Sequence, residues 1–214
     1  MKKVKLLDII TALTIIATFV VTIIFYFDLP QQIPSKFDMN GQVIEYGQKM
    51  TLFIVPALSL AMYSCFPFLA KIDPKGENYQ KFQSSYDMIK YIIVFILAVL
   101  HFIILHKVVV PDSTWNISKL IMTIIGILFI VIGNKMPKLK QNFFVGIRTP
   151  WTLTNPEVWC KTHRLGGFAW VISGAVLIIS QLFNINIVLT FIVVILLSVV
   201  VPIVYSCIAF KNLK

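Results

Sequence analysis

Cys160 and His163 stand three residues apart, with Arg148, Lys161 and Arg164 nearby and two tryptophans, Trp151 and Trp159, among them. A C-x-x-H pair is half of a zinc motif, but a closed zinc site takes about four ligands and no second pair accompanies this one. A cysteine nucleophile activated by histidine needs a third group to orient the base and donors for an oxyanion. Neither is evident. The chain also has no phosphate-binding glycine loop and no dinucleotide fingerprint. The reading is therefore of no catalytic residue, no cofactor, no metal and no enzyme. Arg148, between Gly146 and Pro150, is either held against helix-end carbonyls or offered to an anionic partner, since its planar fork serves both tasks.

The elements that position these side chains follow from the punctuation of the segment. Pro150 drives Thr149 out of the helical region, so residues 146–150 form an extended or turned stretch. A helix begins next, either with a capping box of Thr154 and Glu157 or with Asn155 as cap and Pro156 in the first position. It runs to about Arg164 or Leu165, where Gly166 and Gly167 break it or let it join the next span. Glu157 and Lys161 are four apart, acid first, and pair on one side. Trp159, Thr162 and His163 share the other. The expectation is a short interfacial helix with Trp159 lying against the lipid headgroups.

Around this polar interval the chain is apolar. Of 214 residues 58% are hydrophobic and 13% charged, and the mean hydropathy is +0.86. A soluble domain carries about 25% charged residues. Apolar runs fall at about residues 6–27, 51–70, 89–110, 117–133, 168–183 and 187–210, each near the ~20 residues that cross a bilayer. The fold class is an all-α membrane protein, a six-transmembrane helix bundle with its long loop, residues 134–167, between spans 4 and 5. We divide it into residues 1–70 with an outer loop at 28–49, residues 71–116 with span 3, and residues 117–214.

Charge position sets orientation. Of the 19 lysines and arginines, Lys36, Lys49, Lys107 and Lys119 fall on one side, and all the others fall on the opposite side. The positive-inside rule then puts both termini and the long loop in the cytoplasm. The net charge of +10 is a membrane signal and implies no nucleic acid. In the outer loop Pro30 and Pro34 favour an extended entry and Asn40-Gly41 a turn, which together predict a hairpin. Inside the spans, His101 is read as a bundle-facing group with a hydrogen-bond partner. Pro56, Pro67 and Pro202 are expected to kink their helices. Gly126 and Gly133 are seven apart, as are Gly167 and Gly174; each pair makes a small-residue face, so spans 4 and 5 should pack closely.

The run from Gly133-Asn134-Lys135-Met136-Pro137-Lys138 through Asn142, Gly146 to Leu153, Val158-Trp159 and Thr162-His163-Arg164 to Gly167 and Gly174 resembles the SdpI family. These are bacterial membrane proteins related to the immunity protein against the sporulation-delaying peptide toxin. The first outer loop resembles the DUF1648 segment through Leu29-Pro30, Ile33-Pro34, Gly41 and Lys49, with Lys36 and Ile44 where that pattern has histidine and aspartate. The resemblance implies a multi-pass protein of the bacterial cell membrane that gives immunity to a secreted membrane-active peptide at its outer face. It also implies inward signalling by capture of a cytoplasmic ArsR-type repressor. The candidate partner-binding residues are Asn142, Gly146, Arg148, Thr149, Trp151, Trp159, Thr162, His163 and Arg164. On the outer loop they are Phe37, Asn40, Tyr46 and Lys49. A second reading is a transporter of small molecules or lipid headgroups, with Arg148, Lys161 and Arg164 holding a phosphate beside the helix start at Pro156. Oligomeric state is not legible.

Overall fold

The computed structural model describes residues 6–38 and 41–213. Eight helices and one hairpin follow in order: α1 (Leu6–Tyr26), β1 (Gln32–Phe37), β2 (Val43–Gln48), α2 (Ile54–Ile72), α3 (Asn78–Val109), α4 (Ile117–Lys135), α5 (Pro150–Thr154), α6 (Pro156–Leu182), α7 (Ile187–Ile195) and α8 (Val201–Lys211). A 3-10 turn, Lys49–Phe53, leads into α2, and a π-segment, Leu196–Val200, joins α7 to α8. Six helical stretches are long and apolar enough to span a membrane. The expected all-α, six-span class holds. Contacts divide the chain into two compact units, Met1–Cys65 with Lys90–Ile124, and Phe66–Ile89 with Ile125–Lys214.

In the first unit α1 turns a threonine stripe inward. Thr11, Thr18 and Thr22 are buried, and each hydroxyl donates to a carbonyl three or four residues earlier at 2.7 Å. That satisfies the polar groups without water. His101 meets this stripe, its Nε2 2.7 Å from Thr22 Oγ1, so the expected partner exists. Asp8 receives Lys90 at 3.0 Å, Tyr91 at 2.8 Å and Tyr63 at 3.1 Å, all on one carboxylate oxygen. β1 and β2 pair antiparallel, and Gly41 takes φ +82 in the turn. The predicted hairpin is present. Ile33 anchors it in a core with Leu52, Leu105 and Val108.

In the second unit the two glycine pairs meet. A Cβ on Gly133 would lie 2.7 Å from the Gly167 carbonyl, and one on Gly126 would lie 2.8 Å from that of Gly174. Only hydrogen on each α-carbon permits α4 and α6 to approach this closely. Pro202 carries no N–H for the carbonyl of Ser198, four residues back. Here the helix widens into the π-segment, and Trp170 Nε1 donates to Ser198 O at 3.0 Å. Pro56 lies just after the change from the 3-10 turn to α-helix at the start of α2. In α3 the backbone leaves helical geometry at Phe82, φ −133 and ψ 23.

Candidate functional site

The segment between α4 and α6 is built from side chains that bond to its own backbone. Asn142 is fully buried; its Nδ2 donates to Lys140 O and Val145 O, both at 2.9 Å. Its Oδ1 accepts from the N–H groups of Phe144 (3.0 Å) and Val145 (2.7 Å). One amide thus fixes six residues of loop, in the way short polar side chains stand in for a turn. The neighbouring Gln141 donates through Nε2 to Thr152 O and Leu153 O, both 2.7 Å, which caps the carbonyl end of α5.

The loop is tied to a second element by Asp73. This buried carboxylate accepts from Tyr79 Oη and Phe143 N–H at 2.8 Å each, and from Lys75 N–H at 2.7 Å. Lys75 in turn reaches Gln141 Oε1, and Asn78 Nδ2 donates to Gln141 O at 2.9 Å. Sequence reading missed Asp73, Tyr79 and Gln141. The signal for Asp73 was the turn-forming run Asp73-Pro74-Lys75-Gly76, from which only the lysine charge had been read.

Thr149 is extended, φ −108 and ψ 161, as its proline neighbour requires. It caps α5 reciprocally with Thr152: Thr152 N–H donates to Thr149 Oγ1 at 3.2 Å, and Thr149 N–H to Thr152 Oγ1 at 2.9 Å. The capping box is therefore here and not at Thr154 and Glu157. Asn155 caps α6, accepting from Glu157 N–H (2.8 Å) and Val158 N–H (3.2 Å), with Pro156 in the first position. Thr149 Oγ1 also meets Ser206 Oγ of α8 at 3.0 Å.

Helix α6 decides between the two readings of Gly166-Gly167, in favour of the join to the next span, and corrects the expectation for Trp159. It runs unbroken for 27 residues through Gly166 and Gly167, because those glycines are buried in a helix contact and terminate nothing. No separate interfacial helix ends at Arg164. Trp159 lies in the interior, 2% exposed, where its Nε1 donates to Leu139 O at 2.9 Å and its ring stacks on His163 at 4.0 Å. It does not face the headgroups.

His163 is fully buried, and its two nitrogens have distinct tasks. Nε2 accepts from Ile147 N–H at 2.9 Å, and Nδ1 donates to Trp159 O at 2.9 Å. A backbone donor on one side and a carbonyl on the other fix the Nδ1–H tautomer. Gly146, φ +115, lies directly on this ring, and a Cβ there would enter the imidazole. His163 is committed to backbone and not to its sequence neighbour Cys160, which is exposed. The hydroxyl of Thr162, fully buried, has no partner among the described residues.

Of the nine loop candidates, Asn142, Thr149, Trp159, Thr162 and His163 are buried, Trp151 is half-buried, and Arg148 and Arg164 are exposed. Gly146 carries no side chain to present. Arg148 Nη1 donates to Phe143 O at 2.6 Å, a loop carbonyl. Lys161 pairs with Glu157 at 2.8 Å, the predicted spacing. Lys161 and Arg164 border one cleft; Arg148 is not on it, so the three cations read together as a phosphate site are not gathered. On the hairpin, Tyr46 is exposed, Phe37 half-buried and Asn40 outside the described residues. Lys49 is buried and donates to Tyr26 O (3.0 Å) and Leu29 O (3.1 Å), where a cation suits the carbonyl end of α1.

Residues 138–206 match the SdpI/YfhL protein family, and residues 13–60 match DUF1648, a domain of unknown function. Over 208 residues, 97% of each chain, this protein is 28% identical to a protein of Bacillus subtilis (strain 168) called immunity protein SdpI. No solved structure matches the chain. The loop from Lys138 onward, α6 and the Ser206 contact fall within the first match, and most of α1, the hairpin and the start of α2 within the second. The protein is thus a multi-pass cell-membrane protein that carries the SdpI/YfhL signature toward its carboxyl end and the DUF1648 segment toward its amino end.

Proposed function

We propose that this protein is a membrane immunity protein that protects the cell making it from a secreted, membrane-active peptide. The observation that carries this reading is the similarity over 97% of both chains to an immunity protein. That relative is no enzyme by name, and the site residues serve backbone more than chemistry. The lysine and arginine asymmetry orients the hairpin outward and the signature loop toward the cytoplasm. Outside, Ile44 and Tyr46, 66% and 59% exposed, offer apolar surface to an amphipathic peptide. Inside, the buried residues keep the loop rigid, while Arg148 and Trp151 make the contact with a partner, an ArsR-type repressor. Rigidity of this kind lowers the ordering cost of binding.

The test is survival of an otherwise unprotected strain challenged with the cognate peptide, with membrane abundance measured in parallel. Arg148→Lys keeps charge but loses the planar fork. Arg148→Lys and Trp151→Ala are expected to insert at normal abundance and to lower survival or repressor recruitment at least tenfold. Full survival with normal recruitment removes the loop from the working site and leaves the hairpin around Tyr46. One observation favours the alternative of a lipid-headgroup or small-molecule transporter: the cleft beside Lys161 and Arg164. Loss of both variants from the membrane would make the loop a folding element only.

A further inference from the structure

The second unit contains a cleft of about 630 Å³ where the end of α4 leaves α6, walled also by α8. Its lining has a direction. Lys161 and Arg164 stand toward the start of α6, and Phe168 and Val171 stand one to three turns further along. Positions 161, 164, 168 and 171 recur at helical spacing and share a face. Asn134 and Tyr205 add polar groups from α4 and α8. The walls therefore run from cationic to apolar over ~15 Å of helix, at 1.5 Å per residue.

Two further facts bear on what fills it. Lys161 has Glu157 as its ion partner, but Arg164 has no hydrogen bond or ion pair among the described residues. Phe168 is 68% exposed among the described residues. Helix α6 has 27 residues, about 40 Å, against a hydrocarbon layer of about 30 Å, so its first turns project into the headgroup region. With the amino-terminal turns outside that layer, Arg164 would stand at phosphate depth and Phe168 about one turn deeper.

We infer that this cleft is a binding site for one anionic phospholipid. Its phosphate pairs with Arg164, and one acyl chain runs along the outer surface of α6 past Phe168 and Val171. The unpaired guanidinium selects negative headgroups over zwitterionic ones, because it matches a phosphate bidentately with no ammonium beside it. The inference is independent of the immunity reading.

The experiment is native mass spectrometry of the full-length protein, delipidated in detergent and then exposed to phosphatidylglycerol or phosphatidylcholine. One retained phosphatidylglycerol per chain is expected, with at least fivefold less phosphatidylcholine. Arg164→Gln should lower retention at least fivefold, and Arg164→Lys should restore part of it. Phe168→Ala, which shortens the apolar end without touching charge, should also weaken retention, while Lys81→Gln should leave retention unchanged. Glycerol phosphate in large excess should not compete; if it does, the site takes free phosphate and the lipid assignment falls. Equal retention of both lipids, or full retention by Arg164→Gln, also overturns it. Survival against a peptide does not enter any of these outcomes.

Discussion

Ile147 donates its backbone N–H to Nε2 of His163 at 2.9 Å, and this contact pins the signature loop to α6. The same ring occupies the space that a side chain at Gly146 would need, and Gly146 has φ +115. The run of loop residues is thus an assembly in which a histidine serves as a template for a turn. Its chemistry is geometric.

That arrangement predicts a coupling. Gly146→Ala meets both backbone strain and a collision, and His163→Ala leaves the Ile147 N–H without an acceptor; each is expected to cost about 2–4 kcal/mol. In the double variant the collision is gone, so the combined loss should fall short of the sum by about 1 kcal/mol. Thermal unfolding of the three proteins in one detergent, followed by tryptophan fluorescence, measures this. Strict additivity would contradict the contact.

The glycine pairs predict a second effect. Gly133→Ala and Gly174→Ala each place a methyl group against a backbone carbonyl of the facing helix. Overpacking of that kind costs about 1–3 kcal/mol. The expected result is a lower melting temperature and reduced membrane abundance for both. Gly76→Ala has its nearest contacts at 3.1 Å in an irregular turn, where relaxation is easier, and should do less harm.

Trp170 and Pro202 form a third pair, joined through Ser198. Trp170→Phe keeps the ring that stacks on Phe129 at 4.6 Å but removes the donor to Ser198 O. It should destabilise by about 1–2 kcal/mol, the cost of leaving a carbonyl unmet in an apolar setting. Pro202→Ala returns an N–H to the helix and should offset part of that loss. If Pro202→Ala makes Trp170→Phe worse, the indole bond is not compensating the proline.

Orientation is open to a direct check. In a cysteine-free background, a probe at Gln42 should react with a reagent that cannot cross the membrane, and one at Asn155 should not. The native Cys160 is exposed and should behave like Asn155. Cys160→Ser is expected to keep full protection, since His163 is held by backbone on both nitrogens. Reaction at Asn155 and silence at Gln42 would turn the protein over.

Much of this molecule was determined by local sequence. Apolar length alone set the six spans, because a helix in hydrocarbon has no alternative partner for its backbone. Gly41 and the prolines before it set the hairpin, and Asn155-Pro156 set the start of α6, through turn and cap chemistry that acts within a few residues. The two glycine pairs marked the α4–α6 contact, since small residues at a seven-residue period have one main use between helices. Only the tertiary structure decided what faces what. Trp159 and a tryptophan at the headgroups have the same sequence signal; burial and the Leu139 carbonyl separate them. Gly166 and Gly167 read equally well as a helix end or a join to the next span; packing of Gly167 on Gly133 and of Gly166 on Ile147 and Met136 chose the second. Asp73 entered the loop through Phe143, 70 residues away, a pairing no local pattern carries. The three cations that looked like one site were divided as well, Arg148 to a loop carbonyl and Arg164 to a cleft, because side-chain direction depends on the helix register that packing fixed.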